Sequence, residues 1–362
     1  MKHLIIDTSY LIYRSHFAYP KLTSNDIPTG AFFGFAKTVI ALIKEYTPDT
    51  LIFALDTPKP TWRHEVKNDY KAGRPEADKN MVAQIPTIQN WCKLITKNYF
   101  VQDGYEADDF ICTACYNIIQ DYILTTEHKN IKDEDLFADQ FDNTNKPKMF
   151  EPMTHQELAK LDINMKDQVY IFSSDRDLFQ LLVYPNVCFI QSKSTKDGFS
   201  LFSQKEFREK YELDPIQWID YKTLVGDGSD NLQGLPGVGP KTATSLLNQI
   251  GSLYILFELM EIDNTNYILG SWAQQKYHEV AKEYIENPKN FKLMDKIRDN
   301  LELLHQTHRL SQLEIVPGGV EIDKGFDLHK GTDLFQEYGF KSLVTMTTNT
   351  VGFDQGETDA LF

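Results

Sequence analysis

The chain has 362 residues, 41% hydrophobic and 25% charged, an ordinary globular balance long enough for two or three domains. No apolar run approaches the ~18 residues of a membrane helix, and the start MKHLIID lacks signal-peptide anatomy, so a soluble, cytoplasmic protein without a membrane partner is expected. The net charge of −15 speaks against a nucleic-acid partner, unless many of the acids hold metal ions and so change the effective charge of the working surface.

In chain order, LIID (4–7) is a continuous apolar run ending in Asp7, and AFFGFAKTVIALIKEY (31–46) is an amphipathic helix. LIFALD (51–56) repeats the first pattern and ends in Asp56. In WRHEVKNDYKAGRP (62–75), Arg63, Lys67, Lys71 and Arg74 share a face at helical spacing, with Tyr70 among them. A solvated basic face is the bland reading. The place just after Asp56 and the interleaved tyrosine point instead to nucleic acid, with cations for a phosphate and a ring for a base. MVAQIPTIQNWCKLIT (81–96) reads as a helix with a kink or boundary at Pro86, and YFVQ (99–102) as a short strand.

GYEADD (104–109) then sets Glu106, Asp108 and Asp109 within four residues, ahead of the apolar helix FICTACYNII. Acids in a first helical turn face the positive end of the dipole, worth a few tenths to about 1 kcal/mol each. That accounts for one or two acids here, but not for acids ending strands elsewhere. Cys112 and Cys115 form a C-x-x-C inside a helical pattern without a second pair or nearby histidine, which reads as core packing. Residues 125–168 are polar and mixed in charge, an inserted segment where a few residues would suffice.

VYIFSSD (169–175) is a third apolar run, ending in Asp175 with Asp177 close behind. VGDGSDNLQGLPGVGPKTA (225–243) brings Asp227 and Asp230, then Gly237 and Gly239 before a helix opened by Pro240, with Lys241 in its first turn. Free N–H groups at a helix start, beside a lysine, suit phosphate. His305 and His308 lie three apart on a predicted helix without further ligands and read as surface. The end, TTNTVGFDQGETDALF, reads as a flexible tail with an apolar hook.

Short apolar runs separated by helices predict an α/β fold with buried parallel strands. Sites in such sheets form outside the carboxyl ends of the strands, where Asp7, Asp56 and Asp175 all fall. Carboxylates without histidine or cysteine suit Mg²⁺ or Mn²⁺, and two such ions about 4 Å apart can clamp a phosphoryl group.

The ordered set IIDTSYLIYRSHFA, FALD, WRHEVKNDYKAGRP, GYEADDF, FSSDRDLFQLL, VGDGSDN and GLPGVGPKTA runs from residue 3 to about 260. It resembles the 5′ nuclease superfamily, which includes bacteriophage 5′–3′ exonucleases, the N-terminal nuclease domain of bacterial DNA polymerase I, and flap endonucleases. The resemblance implies a parallel-sheet, PIN-like (Rossmann-like) nuclease core over 1–200, with a helical arch at about 60–98 and the insertion at about 125–168. It implies a helix-three-turn-helix DNA-binding module over 201–305, then a C-terminal region (306–350) and the tail (351–362).

By position, Asp7, Asp56, Glu106 and Asp108 would form one Mg²⁺ or Mn²⁺ site, and Asp109, Asp175, Asp177, Asp227 and Asp230 a second, with Asp109 bridging. Lys71 and Arg74 would hold the scissile phosphate and Tyr70 would stack on the adjoining nucleotide, with Arg63 and Lys67 on the same DNA-binding face. Gly237, Gly239 and Lys241 would grip duplex in a hairpin that binds K⁺. The expected substrate is DNA with a 5′ flap, nick or RNA primer, cut by a monomer during replication. QGETDALF resembles the terminal peptides that dock on sliding clamps.

No polymerase domain follows, so a stand-alone enzyme is expected. A phosphatase using Asp7 as nucleophile would need a second aspartate at position 9, which is Ser. A catalytically silent DNA scaffold should have lost ligands, yet all nine carboxylates are present. A PIN-type ribonuclease shares the acidic sheet, but the hairpin and the basic arch favour a duplex-anchored substrate.

Overall fold

The computed structural model describes residues 1–125, 167–193, 198–260 and 271–351. The predicted insertion and the clamp-docking tail lie, but for their flanking residues, outside the described residues. The strands are β1 (Lys2–Asp7), a small hairpin of β2 (Thr23–Ser24) and β3 (Ile27–Pro28), β4 (Thr50–Ala54), β5 (Tyr99–Phe100), β6 (Gln168–Phe172), β7 (Val187–Ser192), β8 (Phe199–Phe202) and a second small hairpin of β9 (Gly226–Asp227) and β10 (Leu232–Gln233). One sheet takes the order β5-β4-β1-β6-β7-β8, parallel except for the edge strand β8. From β1 the chain builds outward first through β4 and β5, then on the other side through β6. That reversal opens a crevice at the carboxyl ends.

The apolar runs become strands because both faces of the sheet are covered. Ile5 pairs with Ile52 and Ile171, and all three point into one core with Ile111 and Cys115 of α6 (Ala107–Thr125). Leu4, Ile6, Leu51 and Phe53 point into the other, against α1 (Thr8–Ala18), α2 (Gly30–Tyr46) and α5 (Ile85–Ile95). The two-residue period of a strand accounts for the split. Cys92, Cys112 and Cys115 are buried core residues.

Two elements differ from their sequence reading. Residues 81–96 divide into α4 (Lys79–Val82) and α5, with Pro86 in the first turn of α5, where its missing N–H is not needed. YFVQ pairs only over Tyr99–Phe100, and the chain then turns away through Gly104 at φ +93°.

Past the sheet, helices run from Gln204 to Ser311 and carry the predicted DNA-binding region. The following segment returns to the sheet. Asn98 receives Asp323 N at 2.8 Å, and Phe335 packs 5.9 Å from Phe32 and 5.6 Å from Trp91, centroid to centroid. No described helix is long and apolar enough to cross a membrane. His308, read as surface, is buried, because its helix Leu301–Ser311 packs on Trp218–Val225 and brings Nε2 to 3.6 Å from Asp220.

Candidate active site

Asp7 ends β1 and caps α1, accepting from Tyr10 N at 2.9 Å and from Ser173 Oγ at 2.6 Å. Asp56 follows β4 and accepts from Ala107 N at 2.7 Å, which ties it to the start of α6. Asp108 lies in that first turn. Asp175 follows β6 and accepts from Asp177 N at 2.8 Å. These four acids and Asp227 line one open cavity of about 440 Å³, together with Lys71 and Arg74. Burial, then the charge of Asp56, pushes the Asp7 carboxyl up to about 7. Burial, then Asp175 and Asp7, hold Asp108 well above the usual carboxylate range. No ion pair among the described residues reaches Asp7, Asp56, Asp108 or Asp175.

The remaining predicted ligands are paired internally. Asp109 is fully buried and takes a two-pronged bond from Arg63 at 2.9 Å on each oxygen, with Glu314 N at 3.0 Å. Glu106 meets Lys71 Nζ at 2.9 Å and Arg63 Nη1 at 3.3 Å. Asp230 meets Arg74 Nη2 at 2.6 Å and the Tyr70 hydroxyl at 3.1 Å. Asp177 and Asp227 are both ion-paired with Lys222. Burial opposes ionisation of Asp227, but the Lys222 ammonium outweighs it and holds the carboxyl down at about 2. The hairpin carrying Asp227 is tight: a Cβ on Gly226, at φ +79°, would fall 2.4 Å from Gly234 N.

Several expectations are corrected here. The basic face of 62–74 is not one helix: α3 spans only Trp62–Val66, and turns follow. The helix ends at its C-cap Lys67, and Tyr70, 3% exposed, buries its ring against Leu232, Leu310 and Trp62. Arg63 is 2% exposed and donates to Asp109 and to the carbonyls of Leu310 and Gln312. Asp109 faces Arg63 and does not line the cavity. Lys67 is tied to the Asn231 carbonyl at 2.6 Å and to Asp69.

Lys71 and Arg74 do reach the cavity. Lys71 has φ +58°, a costly conformation for a side-chain-bearing residue, and its N–H donates to Asp230 O at 3.2 Å. Gly237 has φ +73° and leads with Gly239 into the helix Pro240–Ile250, where Lys241 is exposed. Sequence reasoning missed Lys222, Ser173 and the role of Arg63. A lysine amid the apolar helix WIDYKTLV, five residues before an acid, was the available signal for Lys222.

The donor set fits a hydrated hard cation. Among the described residues, no three His, Cys, Asp or Glu side chains stand close enough together to hold a bare metal ion as placed. An open, all-oxygen cavity whose acids repel one another instead suits an ion that keeps several of its waters, as Mg²⁺ does.

Comparison with known proteins gives one family. The description "5′-3′ exonuclease, N-terminal resolvase-like domain" matches residues 2–137, and "5′-3′ exonuclease, C-terminal SAM fold" matches 213–317. The 5′-3′ exonuclease of Aquifex aeolicus is 30% identical over 94% of this chain and 93% of its own length. DNA polymerase I of Bacillus subtilis is 29% identical over 95% of this chain, which spans about a third (32%) of that longer protein. A solved structure of the bacteriophage T5 5′-exonuclease with bound zinc aligns at TM-score 0.55 and 19% identity, covering 97% of this chain and 99% of that one. That likeness establishes the fold.

Proposed function

The chain belongs to the 5′–3′ exonuclease family and is a 5′ nuclease, and we propose that it hydrolyses phosphodiesters at 5′ flaps, nicks or RNA-primer ends during DNA replication, using two Mg²⁺ or Mn²⁺ ions. The observation that carries this reading is the single cavity lined by Asp7, Asp56, Asp108, Asp175 and Asp227, with Lys71 and Arg74 at its wall.

Asp7, Asp56, Glu106 and Asp108 would hold one ion, partly through water, and Asp175, Asp177, Asp227 and Asp230 the other, with Asp109 beside them on Arg63. Bound there, the ions supply an activated water and charge stabilisation of the leaving oxygen. The chain does the rest. Ser173 and Tyr10 N fix Asp7, and Ala107 N fixes Asp56, so their oxygens face the cavity without rearrangement. Lys71 and Arg74 would turn from Glu106 and Asp230 to the non-bridging oxygens of the phosphate, placing two cations where charge develops. Lys241 and the Gly237–Gly239 turn would hold duplex phosphates, with K⁺ at the hairpin. The tail would dock a sliding clamp, raising the local concentration at nicks. The same reading makes the protein a cytoplasmic monomer.

A 5′-labelled flap duplex tests it, with and without Mg²⁺, native chain against Asp175→Ala. Metal-dependent release of a short 5′ product, lost in the variant, is expected. Tight binding with no cleavage by the native chain would overturn the assignment.

A further inference from the structure

Lys222 takes no part in the reaction as proposed, yet it lies between two of the expected ligands. It is 7% exposed on the helix Trp218–Val225, and its ammonium pairs with both Asp177 and Asp227. Those carboxylates come from different elements: the start of the 3₁₀ turn Asp177–Val183 and the strand Gly226–Asp227. Its neighbours are otherwise engaged. Asp220, on the same helix, accepts from Leu253 N at 3.0 Å and faces His308, and Asp230 takes Arg74. Asp175, in contrast, has no ion pair among the described residues, and neither do the other strand-end acids.

A point bridged by two carboxylates from separate elements, one of them lining the cavity, is where an oxygen-seeking dication would bind. Here an ammonium holds that point. We propose that Lys222 is an internal counter-ion that keeps the second metal position closed until a divalent cation displaces its Nζ. This rests on the two-ion reading above. It separates two sets of ligands: Asp7, Asp56 and Asp108 take an ion with no internal competitor, while the position between Asp177 and Asp227 fills only against a buried ammonium. Metal loading is therefore ordered and has two affinities. In the metal-free protein, the same ammonium prevents Asp177 and Asp227 from repelling each other across the gap.

The test is a calorimetric Mn²⁺ titration of the native chain and Lys222→Met, with bound ions counted by electron paramagnetic resonance. The native chain should bind one Mn²⁺ tightly and a second more weakly. In the variant the second affinity should rise about tenfold or more, because the competing charge is gone, while the first stays unchanged. An unchanged or weakened second affinity in the variant overturns the proposal. If neither protein binds Mn²⁺, the two-ion reading itself fails and this inference with it.

A measurement on the native chain covers the case in which Lys222→Met does not fold. At saturating Mn²⁺, the anomalous signal beside Asp227 should coincide with an Nζ that has left both carboxylates. An ion bound there with Nζ still bridging Asp177 and Asp227 defeats the displacement.

Discussion

The nine acids expected as ligands fall into two groups, one without an ion pair among the described residues and one paired internally. Asp7, Asp56, Asp108 and Asp175 sit at strand and helix ends around an open cavity with no ion pair among the described residues. Glu106, Asp109, Asp177, Asp227 and Asp230 stand beside them, each paired with a cation of the chain: Lys71, Arg63, Lys222 or Arg74. The first group is left repelling itself, which costs stability unless an external cation arrives. The second is balanced from within, so removing the cation of a fully buried pair such as Arg63–Asp109 costs the fold.

The sharpest test of this contrast is Asp108→Ala. It should abolish cleavage of a labelled flap while leaving duplex binding nearly intact and metal-free stability unchanged or higher, since a source of repulsion is gone. Equal loss of binding and cleavage would count against a ligand role. Lys71→Ala tests the boundary between the groups, because its ammonium both pairs with Glu106 and reaches the cavity. Single-turnover cleavage should slow by about 10²–10³-fold if the charge acts on the transition state, and an unaltered rate would remove Lys71 from the site.

Arg63→Met belongs to the balanced group. It strands Asp109 and Glu106 in the core, and urea unfolding should show a loss of roughly 3–5 kcal/mol. A well-folded variant with a purely kinetic defect would erase the distinction between the groups.

Next comes pH. Asp7 titrates near 7 in the fold against an ordinary 3.8, so the folded chain binds the extra proton. Stability of the metal-free protein should therefore fall as pH rises from about 4 to about 7, seen as a declining melting temperature. Excess Mg²⁺ should flatten that slope; a slope indifferent to metal would mean that the strand-end acids do not bind it. The smallest effect is expected outside both groups. Lys241→Ala should weaken duplex binding and lower its salt slope by about 1, and normal salt dependence would defeat the hairpin assignment.

The strand-end group was legible because its signal is local. A buried parallel strand is a continuous apolar run, and LIID, LIFALD and VYIFSSD each show where the strand stops and the acid begins. The balanced group was not, because each pairing spans a long stretch of chain. Arg63 reads as a surface base until the backbone brings Asp109 and the carbonyls of Leu310 and Gln312 around it. Tyr70 reads as an exposed ring until Leu232 and Leu310 cover it, and the helix that spacing had extended to Arg74 ends at its C-cap Lys67. The helices after residue 331 gave no hint in their own residues that Phe335 would complete an aromatic cluster with Phe32 and Trp91.

That last cluster bears on how the protein is made. All nine carboxylates have been synthesised once Asp230 is added, yet Leu328, Phe335, Phe340 and Leu343 still have to complete the core that holds Leu4 of β1, Phe35 of α2 and Trp91 of α5. A nascent chain that already carries all nine carboxylates thus keeps an apolar face uncovered until its final helices emerge. Chains stalled before residue 328 are expected to be cut readily by protease around α5, and chains released past Leu343 to resist; equal resistance at both lengths would show that the sheet closes without its C-terminal cover.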